Sequence, residues 1–256
     1  MLSKNKIKFI QSLSRKKIRD QENVFLVEGN KMVLEAISCQ LNVKLVAGIV
    51  SFLSENDIQT SFATEVITCT EEELRKASLL KNPQQALAVI EKPSEALNFS
   101  VLAQEFSLAL DFIQDPGNLG TIIRIADWFG IKHIICSPDT VDCYNPKVIQ
   151  ASMGAIFRVK IHYADLKEVI QKAAANDLPV FGTFLKGENI YHTVLPPNGI
   201  LVMGNEGNGI SKEVERLIDH KIHIPSFQTV QTGSESLNVA TATAICCSEF
   251  KRRIIR

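Results

Sequence analysis

Apolar residues return at helical spacing through the first residues of the chain. Ile7, Ile10, Leu13 and Ile18 fall on one side, which predicts a single helix over residues 3–19. The period then changes. NVFLVEG is a short, nearly continuous apolar run of strand type, and Gly29-Asn30 opens a helix through KMVLEAIS. LVAGIV and EVITCT are two more predicted strands. Thr70 stands three residues before Glu73, the spacing of a capping box, at the head of the helix EEELRKAS. QALAVIEKP is a last strand that stops at Pro93, and the polar KPSEALNFS reads as a linker. Together these predict a small alternating α/β domain over residues 1–95.

The alternation restarts in SLALDFI, a predicted strand, followed by a helix over GTIIRIADWF that ends at Gly130. KHIIC is a strand, and Asn145-Pro146 starts the helix NPKVIQAS with a cap and a first-turn proline. FRVKI, PVFGTF, GILVM and KIHIP are further strands. Between and after them lie the helices DLKEVIQKAAA, one starting at Ser211, and SLNVATATAICCSEFKRR. Strands alternating with helices predict a parallel sheet covered on both faces, here over residues 96–256.

Composition narrows the class. With 45% hydrophobic residues in 256, the chain can bury a substantial core. Charged residues interrupt every apolar run, so no membrane span is expected. The six cysteines are scattered without C-x-x-C or histidine at metal spacing, which fits reduced thiols, a cytoplasmic location and no metal site. Net charge is zero, yet residues 1–20 carry Lys4, Lys6, Lys8, Arg15, Lys16, Lys17 and Arg19 against Asp20 alone. Such an arm suits phosphates as well as it suits a solvated helix face.

Three polar loops follow predicted strands in the C-terminal half: DPGNLGTIIR, MGNEGNGIS and IPSFQTVQTGSESLN. Ligands of open α/β sheets sit beyond the carboxyl ends of the strands, so the three can converge on one pocket. None carries the dinucleotide or P-loop glycine spacing. No Ser-His-Asp or Cys-His arrangement stands out, and His223 within KIHIP reads as structural. The remaining set is Asn118, Arg124, Glu206, Ser236 and Asn238, which positions and hydrogen-bonds; its arginine suits a phosphate. Singly, Asn118 can be a turn residue and Ser236 a helix cap.

DPGNLGTIIRIADWFG, VMGNEGNGIS and ESLNVATATAI resemble the three motifs of the SpoU-type (TrmH-like) SPOUT RNA methyltransferases, in order. VDCYNPKVIQASMGAIFRV resembles the stretch between the first two motifs. VFLVEG and LKNPQQALAVIEKP resemble the ribosomal-protein-like substrate-binding domain that often precedes them. The resemblance implies an α/β-knot domain with a deep trefoil knot, a homodimer, and methyl transfer from S-adenosylmethionine to a ribose 2′-hydroxyl of RNA. Ribosomal RNA is favoured over transfer RNA. It assigns Asn118, Arg124, Glu206, Ser236 and Asn238 to catalysis, and Thr183, Gly204, Asn205, Ile224 and Leu237 to the cofactor. The loop IPSFQTVQTGSE departs from the family's compact IPM-x-G turn.

The family mechanism makes the arginine a general base, against the guanidinium's very high pKa; a phosphate clamp that lowers the pKa of the hydroxyl is the preferred role. Rival readings are a catalytically silent RNA-binding member of the same fold and, weakest, a nucleotide enzyme.

Overall fold

The first apolar stripe is broken in two. Helix α1 (Lys4–Ser12) stops, the chain turns through Leu13-Ser14-Arg15, and α2 (Lys16–Glu22) follows. The break is capped from within: the Arg19 guanidinium donates to the carbonyls of Leu13 at 2.7 Å and Ser14 at 2.9 Å. The one-helix expectation is therefore corrected, and Arg19, expected on a basic arm, is buried.

The computed structural model describes residues 1–59, 61–227 and 236–253. They form two compact units, Met1–Ser94 with Asp142–Arg158, and Glu95–Val141 with Val159–Arg256.

In the first unit, β1 (Val24–Glu28), α3 (Asn30–Ser38), β2 (Val43–Gly48), α4 (Val50–Glu55), β3 (Glu65–Thr68), α5 (Glu71–Ala77) and β4 (Ala86–Glu91) build a mixed sheet of order β1-β4-β2-β3. Strand β4 runs antiparallel to both neighbours, and β2 and β3 are parallel. The capping box forms as expected, Thr70 accepting from the Glu73 N–H and Glu73 from the Thr70 N–H. Helix α4 had no clear periodic signal in its six residues.

In the second unit, α6 (Phe99–Leu102) leads into β5 (Phe106–Leu110), α7 (Pro116–Trp128) and β6 (His133–Cys136). The chain then passes through α8 (Pro146–Ser152) of the first unit before β7 (Lys160–Tyr163), α9 (Leu166–Ala174), β8 (Val180–Asn189), β9 (Gly199–Met203), α10 (Lys212–Glu215), β10 (His220–His223) and α11 (Val239–Arg252). Six strands pair in the order β10-β8-β9-β5-β6-β7, all parallel, as the alternation predicted. Central β5 and β9 are buried at every residue, as a sheet covered on both faces requires. Each fully buried Leu or Ile there contributes about 1.5–3 kcal/mol. Helix α11 is held by Phe250, whose ring stacks on Phe106 at 4.4 Å and meets Phe181 edge-on. Residues 228–235, which include most of the atypical loop, lie outside the described residues.

Candidate active site

The end of β5 is shaped by a strained turn. Asp111 is buried, and its Oδ2 accepts from the Ser211 N–H at 2.7 Å. Phe112 has φ 61°, uncommon for a bulky side chain and costing about 1–3 kcal/mol. Both of its backbone groups are tied: its N–H donates to Ser137 Oγ at 2.9 Å, and its carbonyl accepts from Asn205 Nδ2 at 2.8 Å. The chain then enters α7 at Pro116, one turn earlier than the apolar pattern indicated. Asp115 is the N-cap and accepts from the Asn118 N–H at 2.8 Å. DPGN is thus the start of the helix itself, and Asn118 sits in its first turn.

The loop after β9 is equally determined. Asn205 and Gly209 exchange both backbone hydrogen bonds at 2.9 Å. A Cβ on Gly204 would lie 2.3 Å from the backbone of Gly209 and Ile210, so only glycine lets the loop close. Asn205 Oδ1 accepts from the N–H groups of Gly207 and Asn208, while its Nδ2 reaches Phe112. Both ends of its carboxamide help shape the loop that presents Glu206.

Helix α11 completes the arrangement. Its N-cap is Asn238, whose Oδ1 accepts from the N–H groups of Ala240 and Thr241 at 2.9 and 3.3 Å. The cap is therefore Asn238 rather than Ser236. Backbone N–H groups only donate, so the Asn238 amide nitrogen must point the other way; it donates to Asn118 Oδ1 at 2.9 Å. Asn118 Nδ2 in turn donates to Glu206 Oε1 at 2.7 Å. A helix terminus at one end and a carboxylate at the other fix the direction of both amides. Each amide nitrogen keeps one further hydrogen.

This relay joins three of the five residues selected from sequence. Ser236 is exposed two residues before Asn238. Arg124 is exposed on α7, six residues beyond Asn118, which at 100° per residue turns it about 240° round the helix. The selection missed Asp111, Phe112 and Ser137; an acid closing the apolar run SLALD was the only available signal.

Gly204 and Ile224 directly follow the last residues of β9 and β10, and Thr183 lies within the adjacent β8. β8 leaves its pairing with β9 after Gly182. Among the described residues Thr183 Oγ1 has only distant partners, the Val202 carbonyl at 3.5 Å and Met203 Sδ at 3.7 Å. Leu237 is half exposed, Phe227 is exposed, and His223 Nδ1 is buried without a partner among the described residues. Among those residues no three His, Cys, Asp or Glu side chains group to hold a metal, and no helix is long and apolar enough to cross a membrane. Cys246 and Cys247 on α11 are buried; burial pushes the Cys246 thiol up to about 12 and Cys247 higher still, so neither is a thiolate nucleophile.

Comparison with known proteins gives the family. Residues 105–248 match the SpoU rRNA Methylase family, and residues 4–88 match the MRM3-like substrate binding domain. The chain is 30% identical to the 23S rRNA (guanosine(2553)-2′-O)-methyltransferase RlmP of Bacillus subtilis, over 94% of this chain and 93% of that protein. A solved TrmH-family structure from Porphyromonas gingivalis is 39% identical with a TM-score of 0.89, covering 99% of each chain. The AdoMet-bound rRNA methyltransferase of Sinorhizobium meliloti is 29% identical with a TM-score of 0.86, over 100% of this chain and 97% of that one. A match to the family profile over more than half of the sequence, on a six-stranded parallel sheet that brings the motif residues Asn118, Glu206 and Asn238 into one relay, places this chain in the SpoU rRNA methylase family.

Proposed function

We propose that the chain transfers a methyl group from S-adenosylmethionine to a ribose 2′-hydroxyl of ribosomal RNA. The observation that carries this reading is the directed relay from α11 through Asn238 and Asn118 to Glu206, in a chain similar over nearly its full length to an rRNA 2′-O-methyltransferase.

The strand ends fit the cofactor. Thr183 offers a hydroxyl without a close partner among the described residues, Ile224 and Leu237 offer apolar surface, and Gly204 lets the loop come in without a side chain. Thr183, Gly204, Ile224 and Leu237 would hold it, with Asn205 acting through the loop rather than by contact. When bound, S-adenosylmethionine supplies an electrophilic sulfonium methyl.

The protein's own part is alignment, which converts a bimolecular transfer into an effectively unimolecular one. The free amide hydrogens of Asn118 and Asn238 are donors of fixed direction for ribose and phosphate oxygens, and Glu206 keeps Asn118 from rotating. Ser236 adds a hydroxyl beside them. Arg124 grips the neighbouring phosphate with its planar guanidinium fork. A cation beside the 2′-hydroxyl lowers its pKa, and the proton passes to solvent.

Because Arg124 faces away from the side of α7 that carries Asn118, a second copy of the chain would supply it or complete its pocket; Trp128, 85% exposed on the same helix, supports a homodimer. An α/β knot, a domain division near residue 95 into RNA-binding and transferase parts, and a cytoplasmic location complete the reading.

The test is transfer of labelled methyl groups to deproteinised ribosomal RNA, transfer RNA and ribosomal subunits from a strain lacking the gene. Label in ribosomal RNA supports the reading. Label in transfer RNA alone would move the substrate, and no label anywhere would favour the RNA-binding member without turnover. An Arg124→Lys variant with full single-turnover rate would remove the need for a bidentate clamp.

A further inference from the structure

The basic residues of the N-terminus divide: Lys4, Lys8, Arg15 and Lys17 are exposed, whereas the other three are paired. Arg19 is buried against Asp142, Lys6 pairs with Glu65, and Lys16 with Asp20. The same unit carries a different feature that the relay does not use. A cleft of about 390 Å³ opens between α5 and residues 81–85, lined by Glu71, Arg75, Lys81, Asn82, Gln84 and Gln85.

Its carboxamides are oriented from behind. Gln84 Oε1 accepts from the Asn30 backbone N–H at 2.9 Å, which only donates, so Gln84 Nε2 is turned away from α3. Asn30 Oδ1 accepts from the Gln85 backbone N–H at 3.0 Å. Asn30 Nδ2 must therefore face Gln85 Oε1, which it does at 2.6 Å, leaving Gln85 Nε2 outward as well. Gly29 makes this possible: at φ 108° it has no Cβ, and a Cβ there would sit 3.0 Å from Gln84 Oε1. Neither outward amide nitrogen has a partner among the described residues. Beside them Arg75 and Lys81 are exposed and make no ion pair among the described residues, against the one carboxylate of Glu71.

A cleft with two fixed amide donors and two cations asks for a ligand rich in acceptors. RNA presents these as phosphate oxygens, ribose hydroxyls and base carbonyls, most openly where its strand is unpaired. We propose that this cleft is an RNA-docking surface of the N-terminal unit, in which Gln84 and Gln85 donate to base or ribose oxygens while Arg75 and Lys81 hold phosphates. The inference rests on the RNA-substrate reading above and gives that substrate a second point of attachment.

The test uses the full chain and deproteinised 23S ribosomal RNA. In the isosteric Gln84→Glu/Gln85→Glu pair, an oxygen still accepts from Asn30 but the outward donors become anionic acceptors. RNA Kd and KM are expected to rise tenfold or more, with kcat at saturating RNA and S-adenosylmethionine affinity unchanged. Arg75→Ala/Lys81→Ala should flatten the log–log salt dependence of RNA binding by about 1.4, two phosphate contacts to a single strand. Circular dichroism melts identical to the parent's would show that the exposed substitutions leave the fold intact. RNA affinity within twofold of the parent for both pairs would overturn the proposal. So would defects seen only on ribosomal particles, which would make the cleft a protein dock. RNA binding is read without turnover, so a parent that binds RNA through this cleft but transfers no methyl group would sink the functional reading and leave this one standing.

Discussion

Replacing Arg19 with Met would remove the cation at the centre of the N-terminal unit. Its guanidinium is 2% exposed and donates through Nη1 to the carbonyls of Leu13 and Ser14, and through Nε and Nη2 to Asp142 Oδ2 at 3.2 and 2.5 Å. The variant would leave a nearly buried carboxylate and two carbonyls without partners. Breaking one side of such a pair costs about 3–5 kcal/mol. At a urea m-value of about 2 kcal/mol/M, that lowers the midpoint of the unit's unfolding by about 1.5–2.5 M. The single tryptophan, Trp128, lies in the other unit, so far-UV circular dichroism is the suitable readout. The double variant Arg19→Met/Asp142→Leu should recover most of the loss, because apolar side chains in place of a whole buried pair are often close to neutral. A single-variant cost under about 1 kcal/mol, the range of solvated surface pairs, would refute the reasoning. Strict additivity in the double variant would do the same. The same contacts explain why deletion of residues 1–19 is a poor test of RNA binding: it removes Ile10, Leu13 and Arg19 from the core.

Further outcomes follow from the site and the sheet. Asn238→Asp keeps an oxygen to cap α11 but loses the donor to Asn118, so methyl transfer should fall at least tenfold with the melting temperature retained; Asn238→Ala should also lose about 1 kcal/mol of cap. An Asn238→Asp enzyme at parental rate would separate the relay from catalysis. Gly204→Ala forces a methyl into the Gly209–Ile210 backbone, and calorimetry should show weakened S-adenosylmethionine binding in a folded protein; unchanged affinity would remove Gly204 from the cofactor's cradle. His133 and His162, in contact at 3.3 Å, are both held below the ordinary histidine value near 6.5, chiefly by burial. As pH falls below 6.5 the unfolded chain takes up protons before the folded one. Stability should therefore decline from that point down toward the depressed folded values. His162→Gln should flatten the decline, and an equally steep pH dependence in that variant would assign the effect elsewhere.

The sequence made the parallel sheet legible because β5 and β9 are buried on both faces and so appear as unbroken apolar runs. Caps with fixed chemistry were equally visible, Thr70 with Glu73 and Asn145 ahead of Pro146. What escaped depends on contacts distant in the chain. The break between α1 and α2 is stabilised by Arg19 and, through it, by Asp142, 123 residues away. The start of α7 at Pro116 was hidden because its first turn carries Pro, Gly and Asn, which count as loop residues in any pattern. Asn118, Arg124, Glu206, Ser236 and Asn238 were legible as polar groups in three loops that follow apolar strands, and the family resemblance supplied their roles. The direction of the amides, and the strained Phe112 that ties the Asn205 loop to the end of β5, are set by contacts between distant segments and leave no mark in the sequence.

The proposed reaction turns on one atom, the ribose 2′-oxygen, and alkaline hydrolysis of the methylated product reports on that atom. RNA labelled from S-adenosylmethionine by the purified chain would be digested with alkali and its products separated. A methyl on the 2′-oxygen blocks cleavage of the adjoining phosphodiester, so the account predicts label in alkali-stable dinucleotides, sharply reduced in the Asn238→Asp enzyme. Label released as mononucleotides would place the methyl on a base and contradict the account.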